Sequence, residues 1–255
     1  MKYVRLLRDS IPVWGVLEGE QVRTLSKAPY EELAYDGKCL ELKDCKLLAP
    51  CEPTKLVCIG RNYYDHIAEL RSMVDGSGTP EQPTLFLKGL NCLNHPEGHV
   101  SAPEFVTRLD YEGELGVVIK RRAKNVKAEN FADYVLGYTC LNDVTARDIQ
   151  KADGQWARGK SMDGFAPIGP LVTDEIDPAN ADIETRLNGK VVQKSNTSLF
   201  ITSVAKIIEF ITVSMTLEPG DIIATGTPAG VGAMKAGDVV EVEVKGIGVL
   251  RAYID

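Results

Sequence analysis

Three carboxylates at the ends of two apolar segments are the strongest candidates for a metal-binding site. Glu112 and Glu114 lie two positions apart at the start of the apolar run ELGVVI, and both point to one face if this run is a strand. Asp143 ends a second run, YVLGYTCLN, where a buried carboxylate is costly unless a cation or hydrogen bonds hold it. A lone pair of glutamates is more typical of a solvated strand end. If the three meet, an all-oxygen set suits Mg²⁺ or Mn²⁺, with Ca²⁺ as a further candidate.

The segment NYYDHIAEL, residues 62–70, offers a general base. His66 and Glu69 are three positions apart on a predicted short helix and can hydrogen-bond across one turn. An exposed helical pair is the more common meaning of this spacing. Residues 71–83 are rich in Gly, Ser, Pro and charge, which predicts a mobile segment that could close over a site. We therefore interpret the His66 helix as tethered to a lid.

Other polar residues could contact an anionic substrate. Lys160 follows the stretch ADGQWARG, and its Gly- and Pro-rich surroundings predict a loop. The segment ATGTPAGVG, residues 224–232, is neither a Walker loop nor a dinucleotide fingerprint, but its amides and Thr227 could bind a carboxylate. Because surface lysines and arginines are common, these residue types alone are weak evidence for substrate binding. The same caution applies to Arg61, Lys88, Arg147 and Gln150.

The elements that must position these residues are mainly strands. Alternating patterns predict strands at 84–88, 114–119, 134–143 and over the C-terminal run DVVEVEVKGIGVLRAYI. Asn188-Gly189 predicts a two-residue type I′ hairpin, because both central positions of that turn need positive φ. Residues 203–213 predict a helix with one apolar face, capped by Ser203. The fold class expected is α+β and mainly β.

Two units are expected along the chain. Residues 2–7 and 12–25 predict a small meander, which ends near the proline-containing stretch LLAPCEPTK. We place the boundary at Ala49, giving a small N-terminal β subdomain over 1–49 and a larger catalytic domain over 50–255. No fixed-period repeat is present, so a solenoid is not expected.

Composition narrows the function classes. The 255 residues are 44% hydrophobic and 25% charged with a net charge of −7, and no basic stripe is present to bind nucleic acid or anionic lipid. No apolar stretch is long enough for a signal peptide or a membrane span, which predicts a cytoplasmic protein. Six scattered cysteines predict reduced thiols, and their spacing relative to the three histidines disfavours structural zinc.

Seven ordered blocks together closely resemble the fumarylacetoacetate hydrolase family. They are GRNYYDHIAEL, FLKG, RLDYEGELGVVI, GYTCLNDVTARDIQ, ARGKSMDGFAPIGP, LNGKVVQ and PGDIIATGTPAGVG. The resemblance covers roughly residues 50–255. The preceding β segment is similar to the N-terminal extension of bacterial members often labelled 2-hydroxyhepta-2,4-diene-1,7-dioate isomerases.

The resemblance implies a mixed β-sandwich roll with short helices, usually as a homodimer. It matches Glu112, Glu114 and Asp143 to metal ligands, and His66 with Glu69 to a lid dyad. The substrate-contacting positions that it implies are Lys160, which we assign to catalysis, and Arg61, Arg147, Gln150 and Thr227. Two departures leave the substrate open: the segment after Glu69 is longer than in compact members, and Gly89 replaces a proline often seen after the FLK lysine.

The chain resembles the short acylpyruvase and decarboxylase branch more than fumarylacetoacetase itself. The expected function is a Mg²⁺- or Mn²⁺-dependent enzyme that acts on a small 2-oxo acid through a metal-bound enolate. Hydrolysis of a 2,4-dioxo acid, decarboxylation of oxaloacetate, and tautomerisation or isomerisation of a dienolate all remain open. Two other function classes are alternatives. The first is a non-catalytic metal-binding protein of the same fold, and the second, less favoured, is a metal-dependent phosphatase.

Overall fold

The N-terminal meander is hydrogen-bonded to the rest of the chain through one strand of the largest sheet. The computed structural model describes residues 1–73 and 79–255, without the side chains of residues 70–73. Lys2–Arg8 pairs antiparallel with Ala166–Thr173, where Tyr3 opposes Val172. The predicted meander is present, but its strands continue the sheet that carries the carboxylates.

The described residues form three sheets. Their strands are β1 (Lys2–Arg8), β2 (Ile11–Glu18), β3 (Gln21–Leu25), β4 (Tyr35–Glu41), β5 (Lys46–Leu48), β6 (Leu56–Gly60), β7 (Thr84–Lys88), β8 (Leu93–Asn94), β9 (Gly98–Val100), β10 (Leu109–Tyr111), β11 (Gly113–Ile119), β12 (Val135–Asn142), β13 (Thr145–Ala146), β14 (Ala166–Thr173), β15 (Asp182–Leu187), β16 (Lys190–Asn196), β17 (Ile222–Ala224), β18 (Gly232–Met234), β19 (Val239–Val244) and β20 (Gly248–Ile254). The helices are α1 (Tyr64–Met73), α2 (Arg147–Asp153), α3 (Ala157–Lys160) and α4 (Val204–Ser214), with 3₁₀ turns at Leu42–Asp44, Leu90–Cys92, Ala128–Tyr134 and Thr197–Leu199. The prediction of a mainly β, α+β fold is confirmed.

The largest sheet runs in the order β4-β3-β2-β1-β14-β12-β11-β17-β6-β7. The second sheet has the order β16-β15-β19-β20-β9, and the third, β13-β10-β18, is small. Strand β19 buries every second residue, as its alternating sequence predicts, because one face packs into the core while the other meets solvent. The two larger sheets therefore bury apolar faces in a layered β structure.

The local predictions for the hairpin and the long helix are confirmed. Asn188 and Gly189 both have positive φ, and Leu187 pairs with Lys190 across this two-residue turn. Helix α4 begins after Ser203, whose side chain accepts a hydrogen bond from the Lys206 amide. Its apolar face is buried and consists of Val204, Ile207, Ile208 and Ile211. Both elements follow from local turn and capping rules.

Candidate active site

The three predicted carboxylates meet at one end of the central strands. Glu112 directly precedes β11, Glu114 lies within it, and Asp143 directly follows β12, the neighbouring strand. Gly113 opposes Asn142 in this antiparallel pair, and the Asp143 amide donates to the Glu112 carbonyl at 2.8 Å. One oxygen from each carboxylate lies within 4.8 Å of the others, and all three residues are at most 4% exposed. A solvated strand end, the alternative for Glu112 and Glu114, is therefore wrong.

Two buried cations stabilise the ionised form of Glu112. The Lys160 ammonium donates to Glu112 Oε2 at 2.8 Å, and an Arg147 guanidinium nitrogen donates to Oε1 at 2.5 Å. Burial opposes ionisation, but these two positive charges lower the pKa of Glu112 below its usual range. Asp143 and Glu112 in turn keep Lys160 protonated, because they raise its pKa against the effect of burial.

Fewer groups stabilise a negative charge on Glu114 than on Glu112. Burial and the neighbouring charges of Asp143 and Glu112 raise the pKa of Glu114 well above its ordinary value. Among the described residues its carboxylate accepts one hydrogen bond, from the Gly226 amide at 2.7 Å. A divalent cation between these oxygens would remove the repulsion and favour the ionised form. The donor set therefore fits a hard divalent metal ion.

Lys88 was underrated from the sequence. Its ammonium is buried at the end of β7 and donates to Asp143 Oδ1 at 2.6 Å and to the carbonyls of Val144 and Phe165. Lys160 binds the other oxygen of Asp143 at 2.6 Å. The available sequence signal was a lysine at the end of the apolar run TLFL, and a lysine that is buried there is costly without a partner.

Arg147 and Gln150 begin helix α2 and share a second network. Arg147 donates to Asp110 at 2.9 Å and to Gln150 Oε1 at 2.7 Å, in addition to its bond to Glu112. Asp110 is fully buried on β10 and was not selected from the sequence. Its alternation with Glu112 in LDYEGE was the available signal. The network fixes the orientation of the guanidinium beside the carboxylates.

His66 and Glu69 form the predicted dyad. His66 Nδ1 lies 3.2 Å from Glu69 Oε2, across one turn of α1. The Gly230 amide donates to the Glu69 carboxylate at 3.1 Å, and His66 is only 4% exposed. An exposed helical pair is therefore the wrong description, since the imidazole is buried and its carboxylate partner is fixed from the opposite side.

The site residues surround one partly open cavity with a volume of about 60 Å³. A water molecule needs roughly 10–15 Å³ on this measure, so the cavity has room for a small ligand of several atoms. Its lining contains all the predicted site residues except Glu69, which contacts His66 from behind. The lining residues are Ile59, Gly60, Arg61, His66, Phe86, Glu112, Glu114, Asp143, Arg147, Gln150, Trp156, Lys160 and Thr227.

An aromatic wall completes the cavity and was missed from the sequence. Phe86 and Trp156 pack edge to face with ring centroids 5.1 Å apart. The Arg61 guanidinium lies 5.8 Å from the Trp156 ring, and the Lys160 ammonium lies 5.1 Å from Phe86. A side chain at Gly60 would collide with Trp156 at 2.4 Å, so glycine is needed for this close approach. The wall places apolar surface beside two of the charged groups that line the cavity.

The predicted loop around Lys160 is wrong in one respect. Lys160 is the last residue of the short helix α3. A β-carbon at Gly159 would lie 2.8 Å from the Gln150 amide nitrogen and 3.0 Å from the Ala146 carbonyl. Because glycine lacks that carbon, α3 packs tightly against α2, and this contact supports a helical turn in a sequence that does not favour one.

The predicted lid is only partly covered by the structure. Residues 74–78, and the side chains of the preceding residues 70–73, lie outside the described part of the chain. The lid therefore stays a prediction.

The chain matches the family model "Fumarylacetoacetate (FAA) hydrolase C-terminal" over residues 55–255. It belongs to the fumarylacetoacetate hydrolase family. A second model, "Rv2993c-like, N-terminal", matches residues 1–50. The recognition made from the seven sequence blocks is confirmed, and so is the conclusion that the protein is an enzyme.

Relatives of this family member include enzymes with different reaction names. An oxaloacetate tautomerase, YisK from Bacillus subtilis, is 39% identical over 252 residues, which covers 94% of this chain and 82% of that protein. An uncharacterized protein of Methanocaldococcus jannaschii is 50% identical over 218 residues, covering 86% of this chain and 87% of that protein. The crystal structure of 2-hydroxyhepta-2,4-diene-1,7-dioate isomerase from Mycobacterium marinum has 38% identity and a TM-score of 0.91, covering 100% of this chain and 98% of that chain.

Two observations concern membrane spans and disulfides, and several predictions remain. Within the described ranges, no helix has the length and apolar character needed to cross a bilayer. All six cysteines are free in the structure. The domain boundary at residue 49, the homodimer, the cytoplasmic location and the choice of Mg²⁺ over other ions stay predictions.

Proposed function

We propose that this protein is a divalent-cation-dependent enzyme that moves protons on short 2-oxo acids, with oxaloacetate as the leading substrate. The supporting observation is that the oxygens of Glu112, Glu114 and Asp143 lie within 4.8 Å of one another on the same cavity that His66 lines. The relatives named as a tautomerase and an isomerase support proton transfer as the reaction type.

Glu112, Glu114 and Asp143 are the residues that would hold the cation, which we propose is Mg²⁺ or Mn²⁺. When bound, the cation would stabilise negative charge on the 2-oxo oxygen of the substrate. Arg61 and Thr227 line the same cavity and would orient the substrate carboxylates, Arg61 through its guanidinium and Thr227 through its backbone amide, since the Thr227 hydroxyl donates to the Gly113 carbonyl at 3.0 Å. Gln150 has its carbonyl oxygen engaged by Arg147, so its amide nitrogen would donate to the substrate.

His66 is the proposed proton carrier. Glu69 binds its Nδ1 and would favour the tautomer that leaves Nε2 free to accept a proton. In the keto-to-enol direction His66 Nε2 would take the C3 proton, and the enolate oxygen would gain a proton from water. In the enol-to-keto direction the enol oxygen would lose its proton to water, and protonated His66 would give its Nε2 proton to C3. We assign the C3 proton to His66 Nε2, because this side chain is the imidazole on the cavity wall. Lys160 would contribute positive charge close to the developing enolate.

Hydrolysis of a 2,4-dioxo acid is the second candidate, and the fixed His66–Glu69 dyad favours it. In that reaction the dyad would deprotonate a water molecule that attacks the C4 carbonyl. The C3–C4 bond then breaks, C3 is protonated, and pyruvate and a carboxylic acid are released. Decarboxylation of oxaloacetate would require no activated water, so it would depend less on the dyad.

The test is a substrate panel with purified protein. Oxaloacetate, acetylpyruvate, fumarylpyruvate and a 2-hydroxymuconate-type dienoate are each incubated with Mg²⁺, while enol absorbance and pyruvate release are followed, with EDTA as control. EDTA-sensitive enol-to-keto conversion of oxaloacetate without pyruvate release is the expected result. Pyruvate release from an acylpyruvate would favour the hydrolase, and turnover unaffected by EDTA would contradict the metal assignment. His66→Gln should reduce tautomerisation and hydrolysis but spare decarboxylation.

A further inference from the structure

Gln193 lies behind the active-site cavity and does not line it. It is on β16, is only 2% exposed, and has its side-chain amide bonded at both ends. Its Oε1 accepts a hydrogen bond from the Gly113 amide at 3.0 Å. Its Nε2 donates to Thr227 Oγ1 at 2.8 Å and to the Pro228 carbonyl at 2.9 Å. A single buried amide thus joins two separate segments.

Both segments carry active-site groups. Gly113 stands between Glu112 and Glu114, so its position determines the spacing of those two carboxylates. The other segment, residues 225–230, bears Thr227 on the cavity wall. We call it the 225–230 loop. Gln193 therefore contacts the backbone between two proposed metal ligands and the loop that faces them.

The 225–230 loop reaches two more groups of the site. The Gly226 amide donates to Glu114 at 2.7 Å, and the Gly230 amide donates to Glu69 at 3.1 Å. The proposed metal centre and the proposed proton carrier are therefore supported by the same loop. A displacement of this loop would alter both at once.

Packing leaves little room for the loop to shift without β16. A β-carbon at Gly230 would lie 2.3 Å from the Val192 carbonyl oxygen, and one at Gly113 would lie 3.3 Å from Gln193 Oε1. These are close contacts between β16 and both segments. The three hydrogen bonds of Gln193 further constrain how β16 sits against both segments, because each bond needs a defined donor and acceptor geometry.

We propose that Gln193 is a positioning residue that keeps the Glu112–Glu114 backbone and the 225–230 loop in register. The inference rests on the proposed function. Gln193 acts through Gly113 and Thr227, so its loss should weaken metal binding without removing a metal ligand. Residues that orient metal ligands from outside the coordination sphere typically change metal affinity or activity by roughly 10- to 100-fold.

The test compares two buried substitutions in the full chain. Gln193→Met keeps much of the side-chain volume but removes all three hydrogen bonds. Thr212→Val is the matched control: its fully buried hydroxyl on α4 accepts from the Val126 amide at 3.0 Å and is outside the cavity lining. Both variants should unfold at lower temperature, since each leaves buried groups unsatisfied. Calorimetric titration with Mn²⁺ alone then separates stability from positioning.

We expect the Kd for Mn²⁺ to rise roughly 10- to 100-fold in Gln193→Met and to stay within about twofold of wild type in Thr212→Val. Kinetics with saturating Mn²⁺ should recover part of the lost kcat. The double variant Gln193→Met, Thr227→Val should lose less Mn²⁺ affinity than the sum of the two single losses, because both changes remove the same hydrogen bond.

An unchanged Mn²⁺ Kd in Gln193→Met would overturn the positioning role while leaving the proposed function intact. Equal losses in the Gln193 and Thr212 variants would also overturn it, since affinity would then follow general stability. If wild-type protein binds no Mn²⁺, the proposed metal-dependent function fails, and the positioning role fails with it.

Discussion

Asp221 and Glu114 are both fully buried carboxylates on neighbouring parts of the same sheet, but their surroundings differ. Asp221 directly precedes β17 and accepts hydrogen bonds from the Thr54 and Lys55 amides, the Thr54 hydroxyl, the Lys55 ammonium and the Glu218 amide. These donors close the segment before β6 onto the turn before β17. The charge of Asp221 is thus satisfied by the fold itself.

Glu114, on the adjacent strand β11, has the opposite balance. One amide donates to it among the described residues, while Glu112 and Asp143 place like charges nearby. Burial of a carboxylate therefore does not by itself indicate function. A buried carboxylate that lacks donors, faces a cavity and stands beside other carboxylates calls for a cation, whereas a fully bonded one holds structure.

Glu114→Gln should give the largest effect on activity. We expect EDTA-sensitive turnover to fall by at least roughly 10³-fold, equivalent to about 4 kcal/mol of transition-state stabilisation. Stability without metal should be unchanged or higher, because the substitution removes a buried carboxyl whose ionised form is destabilised by burial and by the charges of Asp143 and Glu112. Steady-state kinetics and urea unfolding measure the two effects. Retained activity would show that Glu114 is not a ligand.

Asp221→Ala should show the reverse pattern. Removing this acceptor leaves three backbone amides and a hydroxyl without their partner, so we expect the free energy of unfolding to fall by about 3 kcal/mol. The kcat of the folded fraction should change less than about threefold, because Asp221 does not line the cavity. Urea unfolding with matched kinetics tests this. A large loss of kcat in stable protein would break the distinction between the two carboxylates.

Asp110→Asn tests a carboxylate that is intermediate between Glu114, a candidate metal ligand, and Asp221, a structural residue. Asp110 accepts from Arg147 at 2.9 Å and from Arg108 at 2.9 Å, and Arg147 in turn holds Glu112. We expect kcat/KM to fall roughly 10-fold, because the guanidinium loses a charged partner that orients it. Arg108→Gln is the control, since this arginine binds the same carboxylate from a half-exposed position and should have little effect.

Asp148 extends the comparison to a more exposed carboxylate and should give the smallest effect. Partial burial opposes ionisation, but the Thr107 hydroxyl and amide outweigh it and lower the pKa of Asp148 below its ordinary 3.8. The lowered pKa contributes stability above pH 3.8, and this is lost as pH falls through the folded-state value. Asp148→Ala removes the acceptor of two hydrogen bonds from Thr107, so the free energy of unfolding should fall by roughly 1 kcal/mol at pH 7. A stability difference from wild type that did not shrink below pH 3.8 would contradict this assignment.

Local rules were sufficient for several parts of the molecule. The Asn188-Gly189 turn needs positive φ at two successive residues, and helix α4 needs a cap and one apolar face. Each requirement involves residues a few positions apart, so the sequence displays it directly. The spacing of Glu112 and Glu114 belongs to the same class, since strand alternation places both on one face.

Residues whose role depends on distant partners are harder to recognise from the sequence. Gln193 bonds to Gly113 from 80 positions away, and Lys88 reaches Asp143 across 55 positions. Neither pairing has a local signature. The helical turn at Lys160 depends in the same way on the contact between Gly159 and helix α2.

The mainly β character, the key turns and helices, the family and the three candidate metal ligands can all be read from the sequence. These follow from short-range periodicity and from ordered motifs. The fold was needed to see that His66 is buried, that Lys88 and Asp110 support the site, and that Phe86 and Trp156 form a wall of the cavity. The physical reason is that burial and charge pairing arise between segments far apart in the chain, and both set the electrostatics of the site.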